Sequence, residues 1–100
     1  MSLQIQIDRK QIAEFCRKWR ITELSVFGSV LRDDYRPDSD VDVLIMFEPA
    51  VPWSLFEWID MTEELRTIFG RRVDVVEKSG LRNPFRRRAI LSAREVIYAT

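Results

Sequence analysis

The sequence predicts a small α/β (α+β) domain. Three apolar runs of strand character, near 22–27, 41–47 and 71–77, alternate with three stretches of helical period that carry their own caps. Apolar residues make up 46% of the chain, which favours a folded core over disorder. A length of 100 residues suits one domain over 1–100, with little room for a second substrate-binding unit.

The N-terminal residues Leu3, Ile5 and Ile7 alternate, as in a short strand or a packed arm. Asp8 then reads as a helix N-cap, with Gln11 completing a capping box and Ile7 and Ile12 placed as a staple. Ile12, Phe15, Cys16 and Trp19 share one helical face, and the helix should run to about Arg20. A strand over 22–27 follows, with Leu24 and Val26 on one face, and Gly28-Ser29 breaks it. Gly28 permits close approach to the backbone. Ser29 is placed to cap a short helix over 30–34, whose N-terminus would favour anions, although a strand–turn–helix junction of this kind is common without a ligand.

The stretch after it, from Val30 to Leu44, holds the least ordinary pattern of the chain. Asp40 and Asp42 flank Val41 at the start of an apolar run. In an extended strand, residues i and i+2 point to the same face, so the two carboxylates would stand side by side. Such a pair repels itself and needs a cation. Hard divalent ions such as Mg²⁺ take oxygen ligands of this type. Turn chemistry explains Asp38 and Ser39 equally well, but it explains Asp42 poorly, because Asp is depleted within strands.

The strand over 41–47 should end before Pro49 and Pro52. Ser54 with Glu57 forms a second capping box, and Trp53 with Trp58 a second staple. Leu55, Ile59, Leu65, Ile68 and Phe69 lie on or near one helical face, and Gly70 is placed as the C′ stop. Trp53, Phe56 and Trp58 read first as staple and core, and second as a surface for a partner protein. In the strand over 71–77, Val73 and Val75 share one face and Asp74 the other. Asn83 and Pro84 open a last helix at its N-cap and N1 positions, with Phe85, Ala89, Ile90, Leu91 and Ala93 expected to pack inward. The segment from Val96 to Tyr98 fits either a continued helix or a short terminal strand.

Composition removes several function classes. The chain has no histidine, which excludes His-based triads and zinc sites built on His, and leaves carboxylates as the acid/base groups. A single cysteine, Cys16, allows neither an intramolecular disulfide nor a cysteine metal cluster. No apolar run approaches the roughly 20 residues that span a bilayer, and no signal-peptide pattern is present. A cytoplasmic protein without membrane attachment is the expectation. Charges cancel overall, but residues 1–70 carry eight Lys/Arg against thirteen Asp/Glu, and residues 71–100 eight against three. An acidic body beside a basic tail suits a site for metal and phosphate or an acidic partner surface, and equally a solvated tail.

Gly28-Ser29, ten intervening residues and Asp40-Val41-Asp42 resemble the Gly-Ser, about ten residues, Asp-x-Asp motif of the nucleotidyltransferase superfamily that includes DNA polymerase β. Asp74, after a long helix and Gly70, matches that superfamily's third acidic position. The chain looks most like the minimal nucleotidyltransferase (MNT) proteins, small stand-alone domains that are commonly the antitoxin partners of HEPN toxins. The resemblance spans nearly the whole chain and is strongest over 26–45 and 70–76. It implies a nucleotidyltransferase fold, a small mixed sheet packed by helices on one side. It also implies a catalytic and metal-binding set of Asp40, Asp42 and Asp74 holding a two-ion Mg²⁺ site, with Asp74 nearest the nucleophile. Gly28 and Ser29 would bind the triphosphate, and Arg32 would either contact phosphate or pair with Asp33, Asp34 or Asp38. The substrate would be ATP, and AMP would pass to a tyrosine hydroxyl of a HEPN-type toxin. The family frequently has Gly after the Arg, where this chain has Asp33. That departure, with the surplus of aromatics, fits a second reading: an antitoxin that neutralises by binding only. A third is transfer to a small molecule or an RNA end, which the absence of further domains and of a basic stripe over the body disfavours. The acceptor would come from a partner chain or from a second copy in a homodimer.

Overall fold

The computed structural model describes residues 7–28 and 40–100. Helix α1 (Arg9–Lys18) leads into strand β1 (Ile21–Phe27); then come β2 (Val41–Phe47), helix α2 (Leu55–Phe69), β3 (Val73–Glu77), α3 (Pro84–Ser92) and β4 (Arg94–Ala99). The four strands form one sheet in the order β3-β2-β1-β4. β1 is antiparallel to both β2 and β4, whereas β2 and β3 are parallel. The parallel pair requires a crossover, and α2 supplies it.

Side-chain alternation sorts the sheet into two faces. Val41, Val43 and Ile45 of β2 are buried in the main core with Ile12, Phe15 and Cys16 of α1 and with Met61 and Leu65 of α2. The mixed sheet is the expected one, but its helices do not all lie on one side: α1 and α2 cover this face, and α3 packs on the other. Leu44 points the other way, into a smaller cluster with Leu81 and Ile90 of α3. Asp42 and Asp74 belong by alternation to that second face.

Local signals explain the element ends. Asp8 caps α1 by accepting the Gln11 N–H at 3.1 Å. The helix stops at Lys18, short of the expected Arg20, because Arg20 takes φ 57 and turns the chain into β1. The Glu57 carboxylate accepts the Ser54 N–H at 3.1 Å and the Ser54 hydroxyl, which holds its carboxyl below the usual range. Gly70 closes α2 at φ 70, in the left-handed region that glycine enters without steric cost. Asn83 Oδ1 accepts the N–H groups of Phe85 (3.0 Å) and Arg86 (3.1 Å) at the start of α3. Asn83→Ala leaves both donors to water and should cost about 1 kcal/mol in urea unfolding; an unchanged midpoint would show that α3 contributes nothing to the cooperative unit.

Several expectations need correction. Phe85, at 85%, and Ala89 and Ala93 are exposed rather than packed inward, because α3 lays only Ile90 and Leu91 of that set on the sheet. Leu55, Phe56 and Ile59 are also exposed, whereas Leu65 of the expected face is buried with Met61, and Ile68 and Phe69 pack against the core. The third strand begins at Val73, with Arg71 and Arg72 before it. Trp53 and Trp58 pack against the core, as staple residues should. Trp53 also donates its indole N–H to the Trp19 carbonyl at 3.0 Å and meets the Trp19 ring edge-on. The C-terminal segment is strand β4. Among the described residues, no helix is long and apolar enough to cross a membrane.

Candidate active site

The carboxylates predicted from sequence gather at one end of the sheet. Asp40 immediately precedes β2, and Asp42 is its second residue. β3 runs parallel beside β2 with Asp42 opposite Asp74, so these two side chains lie on the same face of adjacent strands, about 4.8 Å apart in the sheet. Asp42 is half-buried and Asp74 exposed. The neighbouring Val41 and Val43 are fully buried, so the strand cannot rotate to take Asp42 elsewhere without exposing them.

Gly28 closes the site from the β1 side. Phe27 pairs with Asp42 across the antiparallel ladder, and the chain leaves β1 at Gly28 with φ 75. A Cβ at that position would lie 2.3 Å from Asp42 Oδ2. The backbone therefore approaches the carboxylate more closely than any side chain at residue 28 would allow. Ser29, Arg32 and Asp33, and with them the short helix expected over 30–34, lie outside the described residues.

Asp40 has a protein cation beside it. Arg72 Nε stands 3.1 Å from Asp40 Oδ1. The Arg72 carbonyl accepts the Val41 N–H at 3.0 Å, which locks the backbone of Arg72 to β2 between the two aspartates. This contact is not legible locally, because it depends on the register of two strands joined by α2. As the side chains stand, no group of three acidic or cysteine residues among the described ones converges closely enough to hold a metal ion. The donor set still suits a hard divalent ion: it is all carboxylate oxygen, on adjacent strands, beside a glycine that leaves room at Asp42.

The rest of the chain offers less chemistry. Cys16 is fully buried, and burial pushes its thiol up to about 12, which removes it as a nucleophile. A cavity of about 540 Å³ is lined by Phe47, Glu48, Val51, Glu77, Lys78 and Arg87. It lies at the other ends of β2 and β3, five residues along the strand from Asp42, or roughly 16 Å. Arg87 leans over this cavity and donates to the Lys78 carbonyl at 3.4 Å, while Arg86 and Arg88 are exposed.

Comparison with known proteins agrees with this geometry. A family model described as a nucleotidyltransferase domain matches residues 8–97. The protein adenylyltransferase MntA of Thermococcus cleftensis is 39% identical over 85 residues, which cover 85% of this chain and 81% of that protein. A solved toxin–antitoxin structure with AMP-PNP superposes with a TM-score of 0.72 at 14% identity, covering 94% of this chain and 75% of the other. A second, tri-AMPylated Shewanella oneidensis HEPN toxin in complex with MNT antitoxin, gives a TM-score of 0.64 at 14% identity, covering 92% of this chain and 70% of the other.

Proposed function

Because this chain belongs to the nucleotidyltransferase domain family and is an enzyme of that kind, we propose that it is an antitoxin that transfers AMP from ATP to a tyrosine hydroxyl of a HEPN-type toxin. The observation that carries this reading is the placement of Asp42 beside Asp74 at the strand ends, with the Gly28 backbone against the Asp42 carboxylate. Similarity to the T. cleftensis adenylyltransferase supports the reaction class, and the two toxin–antitoxin neighbours support the partner class.

In the proposed reaction the tyrosine oxygen attacks the α-phosphorus of ATP in line, a P–O bond forms, and the bond to the β-phosphate breaks to release pyrophosphate. Two Mg²⁺ ions, when bound, would polarise the α-phosphate and stabilise the attacking and leaving oxygens. Asp40, Asp42 and Asp74 would hold them. Asp74, exposed like Asp40, would accept the tyrosine proton. Gly28 offers its backbone to the triphosphate, and Ser29 and Arg32 follow it in the chain as phosphate ligands. The acceptor hydroxyl would come from the toxin chain.

Contact-only neutralisation is the second reading, favoured by a different observation. Leu55, Phe56 and Ile59 project from the start of α2, and Phe56 is 78% exposed. Mass spectrometry of the toxin after incubation with this protein, ATP and Mg²⁺ separates the two. The expected result is a gain in AMP units mapped to tyrosine. Neutralisation of the toxin with no mass gain would overturn the transfer reading in favour of contact.

A further inference from the structure

We propose that Arg72 exchanges Asp40 for phosphate: it pairs with Asp40 in the nucleotide-free protein and turns to the triphosphate when a divalent ion takes Asp40. The inference rests on the reading of the site given under Proposed function. Three observations carry it. The Arg72 guanidinium sits 3.1 Å from Asp40 through its Nε. Its backbone is fixed by the Val41 N–H and lies two residues before Asp74, so the side chain has a rigid base at the carboxylate end of the sheet. Among the described residues, no group of three acids lies close enough to hold a metal ion.

The pairing has the properties of an exchangeable contact. The Arg72 side chain is 71% exposed and that of Asp40 49%, so water screens the pair and holds it weakly. A divalent ion at Asp40 competes with the guanidinium, because two cations on one carboxylate repel each other. Once displaced, the planar guanidinium has donors arranged in a fork that matches two phosphate oxygens. ATP brings those oxygens to the same strand ends together with the metal. Metal and nucleotide binding are thereby coupled: the metal frees Arg72, and Arg72 then helps to hold the nucleotide.

This arrangement predicts opposite signs for one substitution. In Arg72→Gln the competitor at Asp40 is gone, so calorimetry with Mn²⁺ alone should show binding about threefold tighter than in the wild type. With metal saturating, the same variant should bind a non-hydrolysable ATP analogue at least about tenfold more weakly, because the phosphate fork is lost. Arg72→Lys keeps the charge without the fork and should fall between the two for the nucleotide. A melting curve of each variant without ligand shows that folding is retained. If the wild type binds metal and nucleotide but Arg72→Gln shifts neither, or weakens both together, the exchange role is wrong while the site reading survives. If the wild type binds neither, the site reading falls and this inference with it.

Discussion

Asp42→Asn is expected to lower AMP transfer by about 10³-fold or more. The substitution keeps the size and shape of the side chain and removes its charge, so the effect reads the chemistry and not the packing. Asp42 is the member of the acidic set whose position is most strongly imposed. Val41 and Val43 on either side are fully buried, Asp74 stands opposite on β3, and Gly28 presses on its oxygen from β1. A neutral amide there leaves the site without the ligand that both neighbouring strands are arranged around. Ligand-linked stability gives a second measurement. At a hundredfold excess over its Kd, Mg²⁺–ATP should stabilise the wild-type fold by about 2.7 kcal/mol. The variant should show almost none of this gain. Transfer by Asp42→Asn within tenfold of wild type would remove the carboxylate from the mechanism.

Much of this is legible in the sequence alone. The Asp-x-Asp pair inside an apolar run, the Ser54–Glu57 cap, Gly70 at the helix end and the acid within a third strand are all local patterns. Each depends on residues within one turn or one strand, where side-chain period and backbone preference act directly. What escaped was set by distant partners. β4 forms because β1 offers an edge that only the folded sheet creates, so 96–98 fitted two structures on their own terms. Leu55, Ile59 and Phe85 carry helical periodicity, but periodicity alone does not choose the buried side when apolar residues lie on several faces. The Arg72–Asp40 contact joins residues 32 positions apart through a parallel register, and nothing near either residue announces it. For the candidate site, the sequence named the acids and the glycine, while the cation that sits among them emerged only from the pairing of β2 with β3.

Gly28→Ala should damage both stability and activity, by two separable routes. The first is conformational. Gly28 holds φ 75, and an L-residue forced into that region costs about 1–2 kcal/mol. The second is steric. The new methyl would meet Asp42 Oδ2 at 2.3 Å, so the carboxylate must rotate away from its place beside Asp74. A displacement of about 1 Å at a reacting centre can cost about 10²-fold in rate, and a loss of that order in AMP transfer is expected here. Because the two routes act on different groups, a double-mutant cycle divides them. Placed on an Asp42→Ala background, Gly28→Ala should keep its conformational cost and lose the collision, so its measured destabilisation in urea should shrink. Equal destabilisation in both backgrounds would mean that the contact with Asp42 is not what selects glycine. Transfer by Gly28→Ala within threefold of wild type would further show that the carboxylate tolerates displacement, and that Gly28 serves the turn out of β1 alone.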